Sequence, residues 1–395
     1  MVNSERYEAI VVGLGAMGSA ALDALARRGV RGLGLDRHPP GHDRGSSHGR
    51  SRVIRQAYFE HPDYVPLLRE AYEGYERLGR DCGETLLVRT GGLFAGDPGG
   101  EVVEGSRLAA ERHGIPHERL DAREVRRRFP ALRIPDSAAA VYEPGAGFVR
   151  AEPTVRAQVD RAVRRGAAIR TGVEVHAIRR GGTQVEVETS IGTLAADRLV
   201  VAAGPWADRL LAEPLSAAAA SLRVTRQPVV WLGTPHELLP VRDDDFPVWL
   251  LDLGGGRSVY GLPPHAAIDA APGRPSGERL VKAAIHGGGE AADPDRVDRQ
   301  VPDSEAEAIA ATVRAVVPAA GEVRASSVCL YTYSPDGHFI LDRDPEDPRI
   351  AIACGFSGHG FKFAPVVGEI LADLALDGTP RRPAGFLGLD RFRRG

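Results

Sequence analysis

Two lysines stand out among the basic residues of this sequence. Of its 50 lysines and arginines, only Lys282 and Lys362 are lysines. An ammonium group is a compact charge that can lose its proton when it is buried, whereas a guanidinium group is planar and always charged. In a chain that otherwise uses arginine, these two positions are candidates for chemistry that arginine cannot perform.

Cysteine is also sparse. The chain has three cysteines, Cys82, Cys329 and Cys354. An odd and small number argues against a disulfide scaffold and favours a reducing compartment, so we expect a cytoplasmic protein. Cys329 lies in a strand-like segment near two tyrosines, where packing and thiol reactivity are both open readings. Cys82 and Cys354 are predicted to be structural.

A glycine-rich turn follows the first predicted strand. Gly13, Gly15 and Gly18 lie between this strand and an Ala/Leu-rich helix, and the next strand ends at Asp36. Strand, glycine turn, helix, strand and terminal acid together form the dinucleotide-binding fingerprint, in which the helix N-terminus faces the phosphates and the acid binds a ribose. The pattern does not separate NAD from FAD.

Composition excludes several other classes of protein. The net charge is −3, which leaves no basic field for nucleic acid. No apolar run reaches the ~20 residues that span a bilayer, and no signal peptide is visible. His38, His42 and His48 cluster, but their spacing fits no zinc site, so we expect no metal. We also expect a monomer.

The order of predicted elements indicates an α/β fold with two interleaved domains. The nucleotide-binding domain is predicted to be discontinuous, with residues 1–85, 145–220 and 325–385. Alternating strand patterns predict an antiparallel-sheet substrate domain from residues 86–144 and 221–324. Among the finer expectations are one strand over 168–177, a last helix over 360–376, and a basic, partly disordered tail from 381, with 386–395 outside both domains.

Along its length the chain resembles the family of monomeric sarcosine oxidases and N-methyltryptophan oxidases. The resemblance spans roughly residues 7–376 and rests on the blocks VVGLGAMGSA, GSSHGRSRVIRQAY, VCLYTYSPDGHFILDR and GFSGHGFKFAPVVGE. It implies a Rossmann-like FAD-binding domain of the glutathione-reductase and D-amino-acid-oxidase type. It also implies FAD-dependent oxidation of N-substituted amino acids: hydride removal, imine hydrolysis, and reoxidation by O2 to give H2O2.

The resemblance assigns roles toward the cofactor. Cys329 matches a cysteine that forms a thioether to the flavin 8α-methyl group, which implies covalent FAD. Arg52 matches an arginine near the flavin. The other predicted cofactor-binding residues are Gly13, Gly15, Gly18, Asp36, Ser47, His48, Val175, Gly358 and Gly360.

It also assigns roles toward the substrate and O2. Arg55 matches an arginine that binds the substrate carboxylate, and Lys362 is predicted to assist it. Arg52 and Arg55 are three residues apart, which predicts one common side of a helical or turn-like segment. Lys282 matches a lysine that activates O2. His286 completes the predicted catalytic set of Lys282, His286, Arg55 and Lys362, and Tyr260 and Tyr331 are predicted to line the substrate pocket.

Residues 263–281 form a loop longer than the family pattern, which leaves the substrate open. A cyclic imino acid or a biosynthetic intermediate oxidised on the same fold is therefore a near alternative. A nicotinamide-linked dehydrogenase and a flavoprotein without turnover, acting as a binding subunit, are more distant ones.

Overall fold

The computed structural model describes residues 6–180, 182–217, 220–234, 245–265 and 279–392. The strands are β1 Arg6–Val12, β2 Gly32–Asp36, β3 Ser51–Ile54, β4 Leu87–Arg89, β5 Gly92–Gly96, β6 Glu118–Asp121, β7 Ala139–Glu143, β8 Gly147–Arg150, β9 Ala168–Thr171, β10 Val175–Arg179, β11 Val185–Thr189, β12 Gly192–Val201, β13 Arg223–Thr234, β14 Val248–Gly254, β15 Arg257–Leu262, β16 Arg279–His286, β17 Val323–Tyr333, β18 Ile340–Arg343 and β19 Ile350–Cys354. The helices are α1 Ala16–Arg27, α2 Val65–Cys82, α3 Ser106–His113, α4 Ala122–Arg128, α5 Ala151–Arg164, α6 Ala207–Leu210, α7 Ala212–Ala217, α8 Asp303–Val316 and α9 Ala364–Leu376.

The first sheet has the order β10-β11-β12-β1-β2-β9, with β19 on β12 and β18 on β19. Its centre is parallel, and β1 alternates between two cores. Ala9 and Val11 pack with helices α1, α5 and α9, whereas Ile10 and Val12 pack on the opposite face near α6. Burial on both faces explains why these strands read as continuous apolar runs.

The second sheet has the order β17-β13-β16-β15-β14-β5-β7-β6. All its neighbours pair antiparallel except β14 and β5, which are parallel. Helix α8 covers one face through Val281 and Ala283 of β16. Lys282 alternates with them, so it points to the other face.

A third, three-stranded sheet has the order β3-β8-β4. Its strand β3 carries Arg52, opposite Val149 of β8. This small sheet brings the arginine-rich segment after the dinucleotide turn toward the second sheet.

Several expectations from the sequence need correction. The single strand predicted over 168–177 is two strands, because the chain turns between Thr171 and Val175; β9 pairs with β2 and β10 with β11. The last helix begins at Ala364, after a 3-10 turn over Phe361–Phe363. The tail predicted to be partly disordered packs through residue 392, since Leu387 and Leu389 are buried.

Two further points concern other parts of the chain. The long loop of the sequence analysis lies largely outside the described residues, which omit 266–278. No helix in the described ranges is long and apolar enough to cross a membrane. The predicted domain boundaries stay a prediction.

Candidate active site and cofactor cavity

A large cavity opens at the carboxyl ends of β1 and β2, where the glycine turn begins. A Cβ atom added at Gly13 would lie 2.5 Å from the Ala202 carbonyl oxygen, and one at Gly18 would lie 1.7 Å from the Gly13 oxygen. Gly13 also has a φ of +88°, which side chains rarely adopt. The turn therefore requires glycine, as the fingerprint predicts, and Gly18 serves packing rather than the cavity wall.

Asp36 sits at the end of β2 and borders the cavity. Its Oδ2 accepts a hydrogen bond from Leu14 N at 2.7 Å, and its Oδ1 accepts one from His38 N at 2.8 Å. The carboxylate is thus fixed beside the glycine turn, where the ribose of a dinucleotide would lie.

The segment between β2 and β3 follows the cavity. Ser47 Oγ accepts a hydrogen bond from Ala16 N at 3.0 Å, at the start of α1. Ser47 lines the cavity together with Arg52, and Val175 lines it from another strand. His48 is buried nearby and interacts with Cys329.

The cavity fits a dinucleotide that carries a large aromatic ring. Beyond the glycine turn it extends to the second sheet, where Leu330, Tyr331 and Thr332 line it. The buried Thr332 Oγ1 has no hydrogen-bond partner among the described residues, so it is open to a ligand. Gly358 and Gly360 line the same end.

Cys329 lies on β17 of the second sheet, opposite Gln227. Arg52 Nη2 donates to its Sγ at 3.4 Å and also to the Ser46 carbonyl oxygen at 2.9 Å. Burial raises the pKa of the Cys329 thiol, but Arg52, His48 and Lys282 outweigh it and lower the pKa to about 6. The surroundings of Cys329 therefore favour the thiolate, which is the nucleophilic form of a thiol.

The other two cysteines differ from it. Burial raises the pKa of Cys354 to about 12, and the Cys82 thiol donates to the Gly79 carbonyl oxygen. All three thiols are free.

Lys282 is almost completely buried, with 1% exposure. Its Nζ donates to the Gly49 and Ser51 carbonyl oxygens, each at 2.6 Å, and lies 5.9 Å from the Trp231 ring centre. Burial and then Arg52 lower the pKa of Lys282 well below its ordinary value. The Lys282 nitrogen is fixed in position, and whether it is protonated depends on the charges around it.

Arg55 is buried in an aromatic box. Its guanidinium carbon lies 4.4 Å from the Tyr58 ring centre, 4.1 Å from that of Phe59 and 5.2 Å from that of Phe94. Its Nη2 donates to both carboxylate oxygens of Glu60, at 2.7 and 2.6 Å. Burial raises the pKa of Glu60, but Arg55 together with His359 and Lys362 outweighs burial and lowers the pKa to about 2. Arg55 therefore already binds a carboxylate.

Lys362 approaches the same tyrosine, with Nζ 5.1 Å from the Tyr58 ring centre. Its Nζ donates to the His359 carbonyl oxygen at 2.7 Å and contacts Tyr58 Oη at 3.5 Å. Burial and Arg55 lower the pKa of Lys362 to about 7. Lys362 lies in the 3-10 turn before α9, not in the helix as the sequence predicted.

Tyr58 Oη is also 2.6 Å from His359 Nδ1, and His359 Nε2 is 3.0 Å from the Gly337 carbonyl oxygen. A carbonyl accepts only, so Nε2 carries the proton and Nδ1 accepts from Tyr58. Burial lowers the pKa of His359 to about 3, which keeps the ring neutral.

Tyr260, Tyr331 and His286 form a second wall. Tyr260 and Tyr331 hydrogen-bond to each other, and the His286 ring centre lies 5.4 Å from that of Tyr331. Burial lowers the pKa of His286 to about 4. A Cβ atom at Gly358 would lie 2.4 Å from the Tyr331 ring, so glycine allows this close approach.

The predicted common side for Arg52 and Arg55 is wrong. Arg52 lies within a strand and Arg55 directly after it, and residues at odd separations in a strand point to opposite faces. Arg52 contacts the thiol of Cys329, whereas Arg55 contacts Glu60. Two different tasks follow from the two faces.

Several residues of the site have no role predicted from the sequence, among them Tyr58, Glu60 and Glu143. Tyr58 ends the motif GSSHGRSRVIRQAY that carries Arg55, and Glu60 lies two residues beyond it, so their proximity is a usable signal. Glu143, which binds the same segment, is 87 residues from Gln56 and gave no local signal.

The glycine turn, the fixed acid and the cavity that reaches the second sheet define a class, that of dinucleotide-binding proteins. The family described as FAD dependent oxidoreductase matches residues 8–374. The chain belongs to this family, which favours FAD over a nicotinamide cofactor.

Curated relatives place it more closely. The chain is 41% identical to a monomeric sarcosine oxidase of Streptomyces avermitilis over 384 residues, covering 97% of each chain. It is 31% identical to an N-methyl-L-tryptophan oxidase of Yersinia pestis over 388 residues, covering 98% of this chain and 100% of that one. The chain belongs to the group of these oxidases, and the predicted family is confirmed.

The fold is shared with a solved structure of NikD, an unusual amino acid oxidase essential for nikkomycin biosynthesis. The TM-score is 0.82 at 24% identity, covering 98% of both chains. The predicted fold class is thereby confirmed.

Proposed function

We propose that the protein oxidises an N-substituted α-amino acid, with FAD attached to Cys329 and O2 as the acceptor. The arrangement of Arg55 and Lys362 carries this proposal. Two buried cations lie within about 5 Å of the same Tyr58 ring, and together they fit one carboxylate. The names of the relatives, sarcosine oxidase and N-methyl-L-tryptophan oxidase, support a secondary-amine amino acid.

Substrate binding begins with an exchange of carboxylates. Arg55 is paired with Glu60, so the substrate carboxylate replaces Glu60 on the guanidinium. Lys362 then donates a hydrogen bond from its remaining N–H to the same carboxylate. Its other two N–H groups are directed to the His359 carbonyl oxygen and to Tyr58 Oη, which hold the ammonium in place. The clamp orients the amine for reaction.

The walls of the site keep the amine reactive. Tyr260, Tyr331 and His286 are buried or nearly so, and His286 is neutral because burial lowers its pKa to about 4. A neutral imidazole accepts a hydrogen bond from the substrate N–H, and the neutral amine, whose lone pair is free, is the form that loses hydride. FAD, when bound, supplies the acceptor for the hydride that leaves the carbon next to nitrogen.

The cofactor would be held from both sides. The glycine turn, Asp36, Ser47 and Val175 would bind the dinucleotide part, and Arg52, Thr332 and Gly358 would border the ring. Attachment at Cys329 would replace the S–H bond and one methyl C–H bond by a C–S bond. The two electrons and two protons released would pass to O2 and form H2O2.

Lys282 is proposed to act on O2. Its Nζ is held by two carbonyl oxygens on the face of β16 that points away from α8. Reduction of O2 develops negative charge on oxygen, which a fixed cation stabilises.

The three free thiols support a reducing, cytoplasmic compartment. The predicted monomer is tested by size-exclusion chromatography with light scattering.

The experiment is anaerobic mixing of the holoenzyme with sarcosine, N-methyl-L-tryptophan or L-proline, followed at the flavin absorbance band. At least one secondary-amine acid is expected to bleach the flavin, and admitting air is expected to restore it with one H2O2 per turnover. Glycine is the matched primary-amine control. Bleaching by glycine alone, or by none of these acids, would contradict the proposal.

A further inference from the structure

The segment that follows Arg55 is held by a buried carboxylate from the second sheet. Glu143 ends β7, opposite Gly92 of β5, and its exposure is 0%. Its Oε1 and Oε2 accept from Gln56 N at 2.9 and 3.0 Å, and its Oε2 accepts from Ala57 N at 2.8 Å. Two consecutive main-chain amides of the segment therefore converge on one side chain.

The same segment fixes the guanidinium of Arg55. Arg55 Nη1 donates to the Ala57 carbonyl oxygen at 2.9 Å, in the residue whose amide Glu143 holds. On the sheet side, Phe94 of β5 lies 5.2 Å from the Arg55 guanidinium carbon. Strands β5 and β7 are neighbours, so one part of the second sheet sets both the wall beside Arg55 and the turn after it.

The carboxylate form of Glu143 is not favourable in itself. Burial raises the pKa of Glu143 to about 7, although the amides of Ala57 and Gln56, and then Arg55, oppose this. The hydrogen-bond partners of Glu143 among the described residues are main-chain amides rather than cations. Its contribution is therefore the geometry that these hydrogen bonds fix.

We propose that Glu143 is a positioning residue for the carboxylate clamp: by holding the amides of Gln56 and Ala57, it keeps the Arg55 guanidinium aimed at the substrate carboxylate. This inference rests on the proposed function, because the substrate role of Arg55 is itself proposed. Glu143 touches neither substrate nor cofactor in this assignment.

The test compares a carboxylate with its neutral counterpart. Propionate and propionamide have the same shape, and each is titrated into the holoenzyme while the flavin spectrum is followed. Glu143→Gln keeps the volume but places an amide NH2 against one of the two main-chain amides. Because the clamp loses its aim, we expect the Kd of propionate to rise about tenfold or more and that of propionamide to change less than about twofold.

Two further variants complete the design. Glu143→Asp keeps the charge but shortens the reach, and it is expected to give an intermediate loss of propionate affinity. Asp373→Asn is the control for general destabilisation, since Asp373 is also fully buried and accepts a main-chain amide, from Arg381, but lies on α9 away from the clamp. It is expected to leave both Kd values unchanged.

Each outcome decides between the proposals. Equal weakening of both ligands in Glu143→Gln, or no weakening of either, overturns the positioning role while leaving the clamp intact. Failure of both Glu143 variants to fold makes Glu143 a residue of stability alone and also overturns it. If propionate fails to bind to the wild-type enzyme, the clamp of the proposed function is wrong, and this inference falls with it.

Discussion

Arg55 and Glu60 form an ion pair in which one guanidinium nitrogen donates to both carboxylate oxygens, at 2.7 and 2.6 Å. The Arg55 side chain is 4% exposed and that of Glu60 19% exposed, so this internal carboxylate occupies the position proposed for the substrate's. The measured affinity of a carboxylate ligand is then the difference between the binding of the ligand to Arg55 and the binding of Glu60 to Arg55.

Removing this competitor is expected to strengthen the binding of anions. Glu60→Gln leaves Arg55 charged in its aromatic box with no carboxylate partner, so the Kd of propionate should fall by about tenfold. The melting temperature should fall too, because an unpaired buried charge is destabilising by ~3–5 kcal/mol. Titration at the flavin band and thermal unfolding measure the two effects. Weaker propionate binding in Glu60→Gln would mean that Glu60 assists the clamp.

The pH dependence of the clamp should follow Lys362. Burial lowers the pKa of Lys362 to about 7, so the ammonium is present below that pH and lost above it. Propionate stays ionised and has no amine, so its affinity is expected to fall by about tenfold or more as the pH rises from about 6 to 9. A bound anion favours the ammonium and moves the transition to higher pH in the complex.

Lys362→Met is the matched variant for this profile. It should bind propionate weakly at every pH, with a flat profile between the same limits. A profile in Lys362→Met that still falls through neutral pH would assign the titration to a group other than Lys362.

The sequence predicts the strand, glycine turn, helix and strand of the nucleotide-binding half well because the determinants of this unit are local. Gly13, Gly15, Gly18 and Asp36 lie within one strand–helix–strand unit, and the backbone geometry of that unit dictates them. The prediction of one strand over 168–177 is wrong because both halves of this segment have strand-forming sequences. They are distinguished only by their partners, since β9 pairs with β2 and β10 pairs with β11.

The substrate half depends on contacts between distant residues. The Tyr58–His359 hydrogen bond joins positions 301 residues apart, and the Glu143–Gln56 bond joins positions 87 residues apart. Hydrophobic periodicity does not predict which distant residues will pair. The spacing of Arg52 and Arg55 is misleading for a related reason: a separation of three residues predicts one common side in a helix, whereas the segment is a strand with period two.

Covalent attachment should depend on both Cys329 and Arg52. Acid precipitation of the wild-type enzyme is expected to leave the flavin in the pellet, and Cys329→Ser should release it to the supernatant. Arg52→Gln removes the largest influence that lowers the thiol pKa to about 6, so less thiolate is present and the attached fraction should fall. Arg52→Lys keeps the charge, so its attached fraction should lie between those of the wild type and Arg52→Gln.

Flavin fluorescence in denaturing gels, normalised to protein, measures the attached fraction. Cys354→Ser is the control thiol, since burial raises the pKa of Cys354 to about 12, and it should leave attachment unchanged. Release of the wild-type flavin by acid would show that no thioether forms.

The two buried lysines should separate the two halves of the reaction. Lys282→Met removes a cation fixed by the Gly49 and Ser51 carbonyl oxygens and keeps its bulk. Burial and Arg52 lower the pKa of Lys282 well below its ordinary value, so its charge is most favoured when negative charge develops nearby, as it does when O2 is reduced. A fixed charge in a preorganised site is worth ~3–4 kcal/mol, or two to three decades in rate. We expect reoxidation by O2 to slow by that amount in Lys282→Met, while anaerobic flavin reduction by substrate changes far less.

Lys362→Met is the matched control: its substrate affinity should fall and its reoxidation rate should stay near that of the wild type. Lys282→Arg should rescue only partly, because a planar guanidinium does not fit between two carbonyl oxygens that a compact ammonium bridges. Stopped-flow absorbance resolves both half-reactions, and equal losses in both for Lys282→Met would leave Lys282 a structural residue that ties β16 to the segment carrying Arg52.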